Sequence, residues 1–437
     1  MASRGVRGSV AAAMLVVLAL LARPVRTQIM VVSDKDGQNM RFVDTSADPW
    51  YVTTPSTTPA SLKITKPVGA GLTPDAMRVI ISDVATCQLK SVDLSVSPYV
   101  LSVVAGTGTC PGNAVDLQVD GIGSAAVLNQ PQGLAVSADG SFALWVEYKG
   151  KWVRRVDLRT NEVKSIVEAG TQKDLNSAYG IAISADDSFA LIGDTENHVV
   201  RKMDLTTLTS VVAAGAVGSQ GEGDGLPATS RMRFPCGVAI APDMSYGIVA
   251  DRNNELIKKL VFESDGTFTL STLVADTWKQ PYFCDFSADG SGIFWTIQQG
   301  GAAILIAKAD GTSIWLKAGA QDGRGAVDGE GADARFNKPM QIAWKSPKIL
   351  PATAFSVSGI TGCAAPASWA STMGCAVEGG TTITLTGVGY RYTGATSLAV
   401  SFNGEPCTLV TDSAAQCAAA PNSAEALPQV QIGRGRG

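Results

Sequence analysis

The sequence has a single histidine, His198, among 437 residues. A zinc site built on histidines, a Ser-His-Asp triad and a Cys-His pair would all depend on that one residue. His198 falls in the polar turn of a repeated pattern described below, so we expect an ordinary exposed turn residue. The sequence therefore predicts no catalytic residue, no cofactor and no metal ligand.

Charge is also scarce, and neither sign dominates. Charged residues make up 17% of the chain, and the formal net charge is -4. No basic patch suited to a phosphate backbone is present, so we expect no nucleic-acid partner. The sequon Asn-x-Ser/Thr is missing, which predicts no N-glycosylation.

Long apolar runs are absent except at the N-terminus. Arg4 and Arg7 precede an apolar stretch over residues 11–22, which is too short to span a bilayer as a helix. This pattern predicts a signal peptide over residues 1–27, with an uncleaved anchor as the alternative. We expect a secreted or cell-surface protein with no membrane span elsewhere in this chain, and a monomer.

A repeated pattern organises most of the chain. Each copy has a glycine and an apolar strand, a Ser-Ala-Asp type turn, a second apolar strand ending in an acid, a polar turn, and a third strand with paired basic residues. Gap-free copies begin at Gln130, Ser177 and Phe234. The short alternating runs predict antiparallel strands. The position of the first glycine recurs at residues 69, 133, 180, 237, 283 and 341, where the last two are Phe283 and Gln341.

The two ends of the repeated region complete one another. The last copy stops after its first strand, near Trp344, whereas the segment from Ile29 matches a copy that lacks its first strand. Pairing these ends would close a ring and remove exposed sheet edges. The sequence predicts an all-β chain whose residues 28–346 form a six-bladed β-propeller, with the last blade closed by N-terminal strands.

Three related segments link alternate blades. VDGIGSAAVLNQP and VDGEGADARFNKP are identical at seven of thirteen positions and have Leu or Phe at an eighth, and a weaker third copy contains Asp224. The aspartates Asp120, Asp224 and Asp328 are spaced 104 residues apart, which is two blades. Glycines permit tight turns, and Leu128 or Phe336 can fill the gap between blades. We interpret these links as structural connectors and as the default face for a partner, whose candidate contacts are Asp120, Asp224, Asp328, Glu330 and Asp333.

Four features of the repeat occur together in one known family: the link, the P-x-G strand that follows it, the acid that ends the second strand, and the basic pair. In these features the chain resembles the NHL-repeat propellers. The resemblance covers residues 29–344 and implies a platform for interactions, because the fold itself does not fix an activity. The acids are Asp34, Asp83, Glu147, Asp194 and Asp251, and the fifth blade has Ile297 instead. We expect these acids to cap their own turns. The basic pairs, such as Arg154-Arg155, are expected on solvated faces or in ion pairs between blades.

Beyond a proline-bearing linker, residues 347–353, the register changes. GGTTITLTGVGY, VSFNGEPCTLV and AAQCAAAP follow one another, an order that resembles the IPT/TIG immunoglobulin-like domain. We expect a small β-sandwich over residues 354–432 and a disordered tail over residues 433–437.

Eight cysteines fit an oxidising compartment. For Cys236 and Cys284, on inner strands of neighbouring blades, a bridge and two buried free thiols remain alternatives. The candidate disulfides are Cys407–Cys417, Cys363–Cys375 and Cys87–Cys110.

Two function hypotheses follow. The first is a non-catalytic protein that binds an extracellular protein or glycan through the loop face of the propeller. The second is a calcium-dependent lactonase or esterase of the type that other six-bladed propellers support. The recurring acids favour the first, because turn capping already accounts for them.

Overall fold

A computed structural model describes residues 29–344, except 46–47, 113–116, 167–174, 276, 288, 299–300 and 321–322, together with the backbone of six strands between residues 356 and 434. The chain divides into two compact units, one over Gln28–Ser346 and one that contains the six C-terminal strands. The predicted signal peptide and linker lie outside the described residues.

The first unit is a six-bladed β-propeller, as predicted. Its strands, in chain order, are β1 (Ile29–Asp34), β2 (Asn39–Asp44), β3 (Tyr51–Thr53), β4 (Thr57–Thr58), β5 (Pro67–Leu72), β6 (Arg78–Asp83), β7 (Gln88–Asp93), β8 (Tyr99–Ala105), β9 (Gly121–Ile122), β10 (Pro131–Val136), β11 (Phe142–Glu147), β12 (Val153–Asp157), β13 (Glu162–Ile166), β14 (Gly180–Ile183), β15 (Phe189–Asp194), β16 (Val199–Asp204), β17 (Ser210–Ala214), β18 (Pro235–Ile240), β19 (Tyr246–Asp251), β20 (Leu256–Phe262), β21 (Phe268–Val274), β22 (Pro281–Phe286), β23 (Gly292–Ile297), β24 (Ala302–Lys308), β25 (Trp315–Ala320), β26 (Gly329–Glu330) and β27 (Pro339–Trp344). Short 3-10 turns occupy Gly123–Ala125, Thr195–Asn197, Arg252–Asn254 and Gly331–Asp333.

The ring closes as the sequence predicts. Blades one to five start at the channel with β5, β10, β14, β18 and β22, and each continues outward through the next three strands of the chain. Blade six has the order β27-β1-β2-β3, so a C-terminal inner strand carries three N-terminal ones. Met30 lies opposite Trp344, and Val31 lies opposite Ala343.

The glycine that begins each repeat sits where neighbouring inner strands come closest. A Cβ atom at Gly133 would lie 2.4 Å from the carbonyl oxygen of Tyr179, and one at Gly237 would lie 2.5 Å from the Cα of Phe283. Heavy atoms cannot approach that closely, so glycine is required by the packing of strand against strand.

Apolar side chains of adjoining blades form the core. Trp145 packs with residues of blades one and two, and Trp295 packs with residues of blades four and five. Leu128 and Phe336, from two of the links, are fully buried in such inter-blade clusters, as predicted.

Each of the three links adds to the outer edge of the blade that follows it. β9 pairs with β13 in blade two, and β26 pairs with β3 in blade six. In blade four the equivalent contact is a bridge between Gly225 and Leu270. The approximate threefold symmetry predicted from the spacing of the aspartates is therefore present in the strand pairing.

The second unit contains six strands in the order β28-β29-β32-β31-β30-β33. The strand Val430–Arg434 shows that the predicted boundary at residue 432 is two residues too early, because Gly433 and Arg434 pair with Ala399 and Leu398. The bounds are β28 (Ser356–Thr361), β29 (Thr382–Val388), β30 (Leu398–Phe402), β31 (Glu405–Thr411), β32 (Ala414–Ala418) and β33 (Val430–Arg434).

The eight cysteines are considered as four pairs. Cys87 and Cys110 form the predicted disulfide, with 5.1 Å between their Cα atoms. Cys236 and Cys284 are buried free thiols, so the structure selects one of the two alternatives. The backbone register places Cys407 opposite Cys417, and their bridge stays a prediction. The Cys363–Cys375 pair lies outside the described residues.

Candidate functional site

The link aspartates lie at the outer rim of the propeller and are held by buried cations. Asp328 Oδ1 accepts a hydrogen bond of 2.7 Å from Arg41 Nη2 and one of 2.8 Å from the Thr54 hydroxyl. Asp120 and Asp224 repeat this arrangement with Arg154 (3.0 Å) and Lys258 (2.7 Å). Although burial raises the pKa of Asp328, hydrogen bonds from Thr54 and Arg41 lower it below its usual range overall. These three carboxylates fasten the links to the blades.

The two remaining predicted contacts, Glu330 and Asp333, are exposed on the third link. Asp333 ends the 3-10 turn that follows β26. Ligand contact by either residue stays a prediction.

The prediction that the recurring acids cap their own turns describes only part of their environment. Asp34 accepts the Gly37 amide of its turn, and Asp194 and Asp251 accept from the side chains of the turn residues at position i+3. All five are fully buried. In four of them a backbone amide just before the inner strand of the same blade donates to the carboxylate, as Asn337 does to Asp34 (2.7 Å) and Arg233 does to Asp251 (2.7 Å). In Glu147 the same role belongs to the Asn129 amide. The acids therefore anchor the point where the chain enters each blade.

In four of the five cases the cation seven residues after the acid completes this anchor by an ion pair, whereas Lys258 pairs with Asp224 and acts on Asp251 through its charge. Lys90 Nζ lies 2.7 Å from Asp83 Oδ2, and Arg201 Nε lies 2.8 Å from Asp194 Oδ2. Burial nevertheless raises the pKa of Asp34 to about 6 and that of Asp251 to about 7, against the hydrogen bonds that lower them. The recurring acids thus serve the architecture.

The second residue of each basic pair has a different environment. Arg155 lies over Phe142 at 4.3 Å, and Lys202 lies over Phe189 at 4.3 Å. The basic pairs were expected either on solvated faces or in ion pairs between blades, and these second residues fit the first expectation. The first residues of the pairs form ion pairs within a blade, and not between blades.

Side chains fill the channel at the two anchor positions that lack glycine. Phe283 is buried against Val68 and Met340, which come from blades one and six. Gln341 Oε1 accepts the Leu134 N–H at 3.0 Å, and its Nε2 donates to the Leu134 carbonyl at 2.7 Å. Below them, a cavity of about 160 Å³ is lined by inner strands of all six blades.

Above Phe283, on the face that carries the links and the polar turns, aromatic and cationic side chains surround the channel mouth. Tyr148 and Tyr179 meet edge to face with ring centroids 5.5 Å apart. The Arg252 guanidinium lies 5.1 Å from the Tyr282 ring centroid and 5.5 Å from that of Phe234. Tyr179 and Tyr282 pack on the Phe283 group. We call Tyr148, Tyr179, Arg252 and Tyr282 the mouth cluster.

The charge of Arg252 acts on Tyr179, Tyr282 and the neighbouring Cys236. Burial raises the pKa of Tyr282, and Arg252 opposes that shift. Burial also raises the pKa of the Cys236 thiol to about 11, again against the charge of Arg252. Tyr179 and Tyr282 are therefore neutral at physiological pH, and Arg252 supplies the positive charge.

Three lysines extend the positive charge toward blades six and one. Lys35 begins the polar turn of that blade, where Arg252 stands in blade four, and its N–H donates to the Lys338 carbonyl at 3.0 Å. Burial lowers the pKa of Lys35, as do the charges of Lys338 and Lys66, whereas Asp36 raises it. We call Lys35, Lys66 and Lys338 the lysine group, in which Asp36 pairs with Lys338 at 2.5 Å.

His198 differs from its prediction. It is only 9% exposed, meets Phe234 edge to face at 4.6 Å between centroids, and accepts the Phe234 N–H at Nδ1 (3.3 Å). Burial lowers its pKa, so the ring is neutral. It supports the aromatic residue beside Arg252.

The mouth cluster was not predicted from the sequence, because its members are separated by up to 134 residues. A signal was available in the repeat alignment. Tyr148 and Arg252 each follow the acid that ends a second strand, and Tyr179 and Tyr282 each precede the anchor position. Comparing these two columns across blades would have placed all four around the channel.

Within the described residues, no three His, Cys, Asp or Glu side chains form a group that could hold a metal ion. The same part of the chain contains no helix with the length and apolar character needed to cross a membrane.

Comparison with known families identifies the second unit, since the IPT/TIG domain profile matches residues 370–436. The C-terminal module is an IPT/TIG domain. The search of curated proteins gave no significant match.

Solved structures resemble the propeller. A chain of the nidogen/laminin complex matches 72% of this protein over 98% of its own length, with a TM-score of 0.51 and 9% identity. An auxiliary nutrient binding protein from Bacteroides thetaiotaomicron matches 67% of this chain over 66% of its own, with a TM-score of 0.46 and 14% identity. At such identities the first similarity shows the fold alone.

Proposed function

We propose that this protein is a secreted or cell-surface interaction protein, and that its NHL-like propeller binds an extracellular protein or glycan through the loop face without catalysing a reaction. The observation that supports this most is the mouth cluster. Tyrosine and arginine are enriched where proteins bind partners, because they bury much area and carry polar groups at low entropic cost. Phe283 gives that surface a closed floor.

The fate of the recurring acids also supports binding over hydrolysis. A hydrolase of the calcium-dependent kind would gather acids and amides in the channel. The recurring acids are instead bound inside the blades, four of them to a cation and Asp251 to the Arg233 amide and the Asn254 side chain. The IPT/TIG domain suits a spacer or a second contact in such a protein.

A capture experiment with two matched variants tests the proposal. The mature chain is immobilised and exposed to extracellular extracts, beside the variants R252A in the mouth cluster and K164A on β13. Lys164 is a cation on the outer strand, with a side chain that is 67% exposed. We expect R252A to lose the captured partner and K164A to retain it.

A capture that both variants retain would place the contact elsewhere than on the loop face. In parallel, the chain is titrated with Ca²⁺ and assayed on a panel of lactones and esters. Stoichiometric stabilisation by calcium together with turnover would replace the proposal with the hydrolase hypothesis.

A further inference from the structure

The mouth cluster holds a cation that no carboxylate of the described residues neutralises. Arg252 contacts two aromatic rings, the Asn253 side chain (3.0 Å) and the Tyr282 hydroxyl (3.5 Å). None of the ion pairs among the described residues includes it. A half-buried guanidinium in that position presents its remaining N–H groups to an anionic ligand.

The lysine group continues this field across Tyr282. The charge of Lys338 acts on Tyr282 from one side, as that of Arg252 does from the other. Within the lysine group Asp36 balances one charge, at Lys338, while Lys35 and Lys66 repel one another. Arg252 and the lysine group thus place four cations around this part of the mouth, although the chain as a whole carries a net charge of -4. Such local fields attract ligands of opposite charge.

A buried acceptor lies in the same ring of positions. Gln132 is only 3% exposed and occupies in blade two the place that Val68 and Met340, both packed on Phe283, occupy in blades one and six. Its Nε2 reaches the Gln130 carbonyl at 3.5 Å, but its Oε1 has no hydrogen-bond partner. A buried acceptor without a partner costs about 1–3 kcal/mol, so a ligand that brings a hydroxyl donor would gain from it.

We propose that the mouth cluster, together with Gln132 and the lysine group, binds a carboxylated saccharide, specifically a chain of uronic acid residues. This inference rests on the proposed function and names the ligand class. The carboxylates pair with Arg252 and the lysines, the C–H faces of the sugar rings lie on the tyrosine rings, and a sugar hydroxyl donates to Gln132 Oε1.

Sugar chemistry meets all three requirements at once. An acidic peptide supplies carboxylates, but it lacks a row of rigid apolar faces for the tyrosine rings. A neutral glycan supplies faces and hydroxyl donors, but it leaves Arg252 and the lysine group uncompensated. The combination of charge, flat apolar faces and hydroxyl donors is the property of a uronate chain.

Isothermal titration of the full mature chain tests the assignment with three probes of similar length. These are an oligogalacturonate of about six residues, its methyl ester and a hexaglutamate peptide. We expect saturable binding of the oligogalacturonate, at least tenfold weaker binding of the methyl ester and of the peptide, and loss of affinity as salt is raised.

Variants locate the site. R252Q is expected to weaken binding of the oligogalacturonate at least tenfold, and Q132L several-fold, whereas K164Q leaves it unchanged. Thermal unfolding of each variant shows whether it is folded. Y179F keeps the ring and is expected to bind nearly as wild type, in contrast to Y179A.

Absence of saturable uronate binding would overturn the inference, as would equal binding in R252Q and wild type. Equal or tighter binding of hexaglutamate would overturn it in favour of an acidic protein. In each of these cases a partner captured through Arg252 in the earlier experiment would still stand, so the two proposals fail separately.

Discussion

The buried acid and its cation can be replaced by two isoleucines, and blade five is the natural precedent. In five of the six blades a cation follows the acid by seven residues. The remaining blade, blade five, has Ile297 and, seven residues later, Ile304, and both are fully buried. Blade five therefore lacks both the acid and the cation. We therefore expect the ion pair of another blade to tolerate loss of both charges better than loss of one.

The pair Asp83 and Lys90 gives the magnitude. Lys90 Nζ lies 2.7 Å from Asp83 Oδ2 and 2.5 Å from the Lys63 carbonyl, and both side chains are at most 1% exposed. K90M leaves a buried carboxylate without its cation, which should cost about 3–5 kcal/mol. D83I/K90I removes both charges. The double change leaves the amides of Thr65 and Lys66 without an acceptor, at about 1–3 kcal/mol for a buried group, and new apolar contacts offset part of that.

Urea unfolding followed by tryptophan fluorescence measures both variants. We expect the double variant to be at least about 1 kcal/mol more stable than K90M, a difference within the range that such pairs show in mutant cycles. The converse change in blade five is the control. I297D should be strongly destabilising, and the double variant I297D/I304K should recover part of the lost stability. If D83I/K90I were as unstable as K90M or less stable, the reasoning from blade five would be refuted.

Three further predictions concern the propeller. Removing the Cys87–Cys110 disulfide with C87A/C110A should cost about 3 kcal/mol for a 23-residue separation, measured by urea unfolding of the oxidised protein; an unchanged midpoint would mean that the bridge adds nothing. Because burial raises the pKa of Asp251 from 3.8 to about 7, its contribution to stability is full below about pH 4 and is lost as the pH rises through about 7. D251N should therefore raise the thermal midpoint relative to wild type at pH 8 and give no such gain at pH 4. A gain at pH 4 but not at pH 8 would contradict the raised pKa of Asp251. Cys236 and Cys284 should react with a thiol reagent only after unfolding, since both are buried and burial raises both pKa values; fast labelling of the native chain would show that an inner strand opens.

The fold was predictable because the same pattern of strand and turn residues recurs from blade to blade. Alternation and turn residues located the strands, the incomplete repeats at Ile29 and Gln341 predicted the closure, and the 104-residue spacing predicted the threefold arrangement of the links. These signals are local or periodic, so a single sequence contains them.

The environment of the recurring acids was not predictable in the same way. A short acid followed by a polar turn is typical of turn capping. The competing partners of Asp194, the Asn176 amide and Arg201, come from the chain before the blade and from the next strand. Their approach depends on how the inner strand enters the ring, which the local sequence does not reveal.

The mouth cluster was missed for a related reason. The repeat is defined by residues that recur, whereas a binding site on a propeller consists of residues that differ between blades. Tyr179 and Tyr282 occupy a column that holds Val68, Gln132, Cys236 and Met340 in the other blades. Departures from the repeat, read by column around the ring, carry the functional information.

The closure of blade six also imposes an order on biosynthesis. Strands β1 to β3 leave the ribosome first, but the inner strand that they need, β27, is made about 300 residues later. At about 5–20 residues per second, the N-terminal strands wait roughly 15–60 s for their partner. The last blade can form only after the other five have been made, so strands β1 to β3 stay unpaired with their inner strand for nearly the whole synthesis of the propeller.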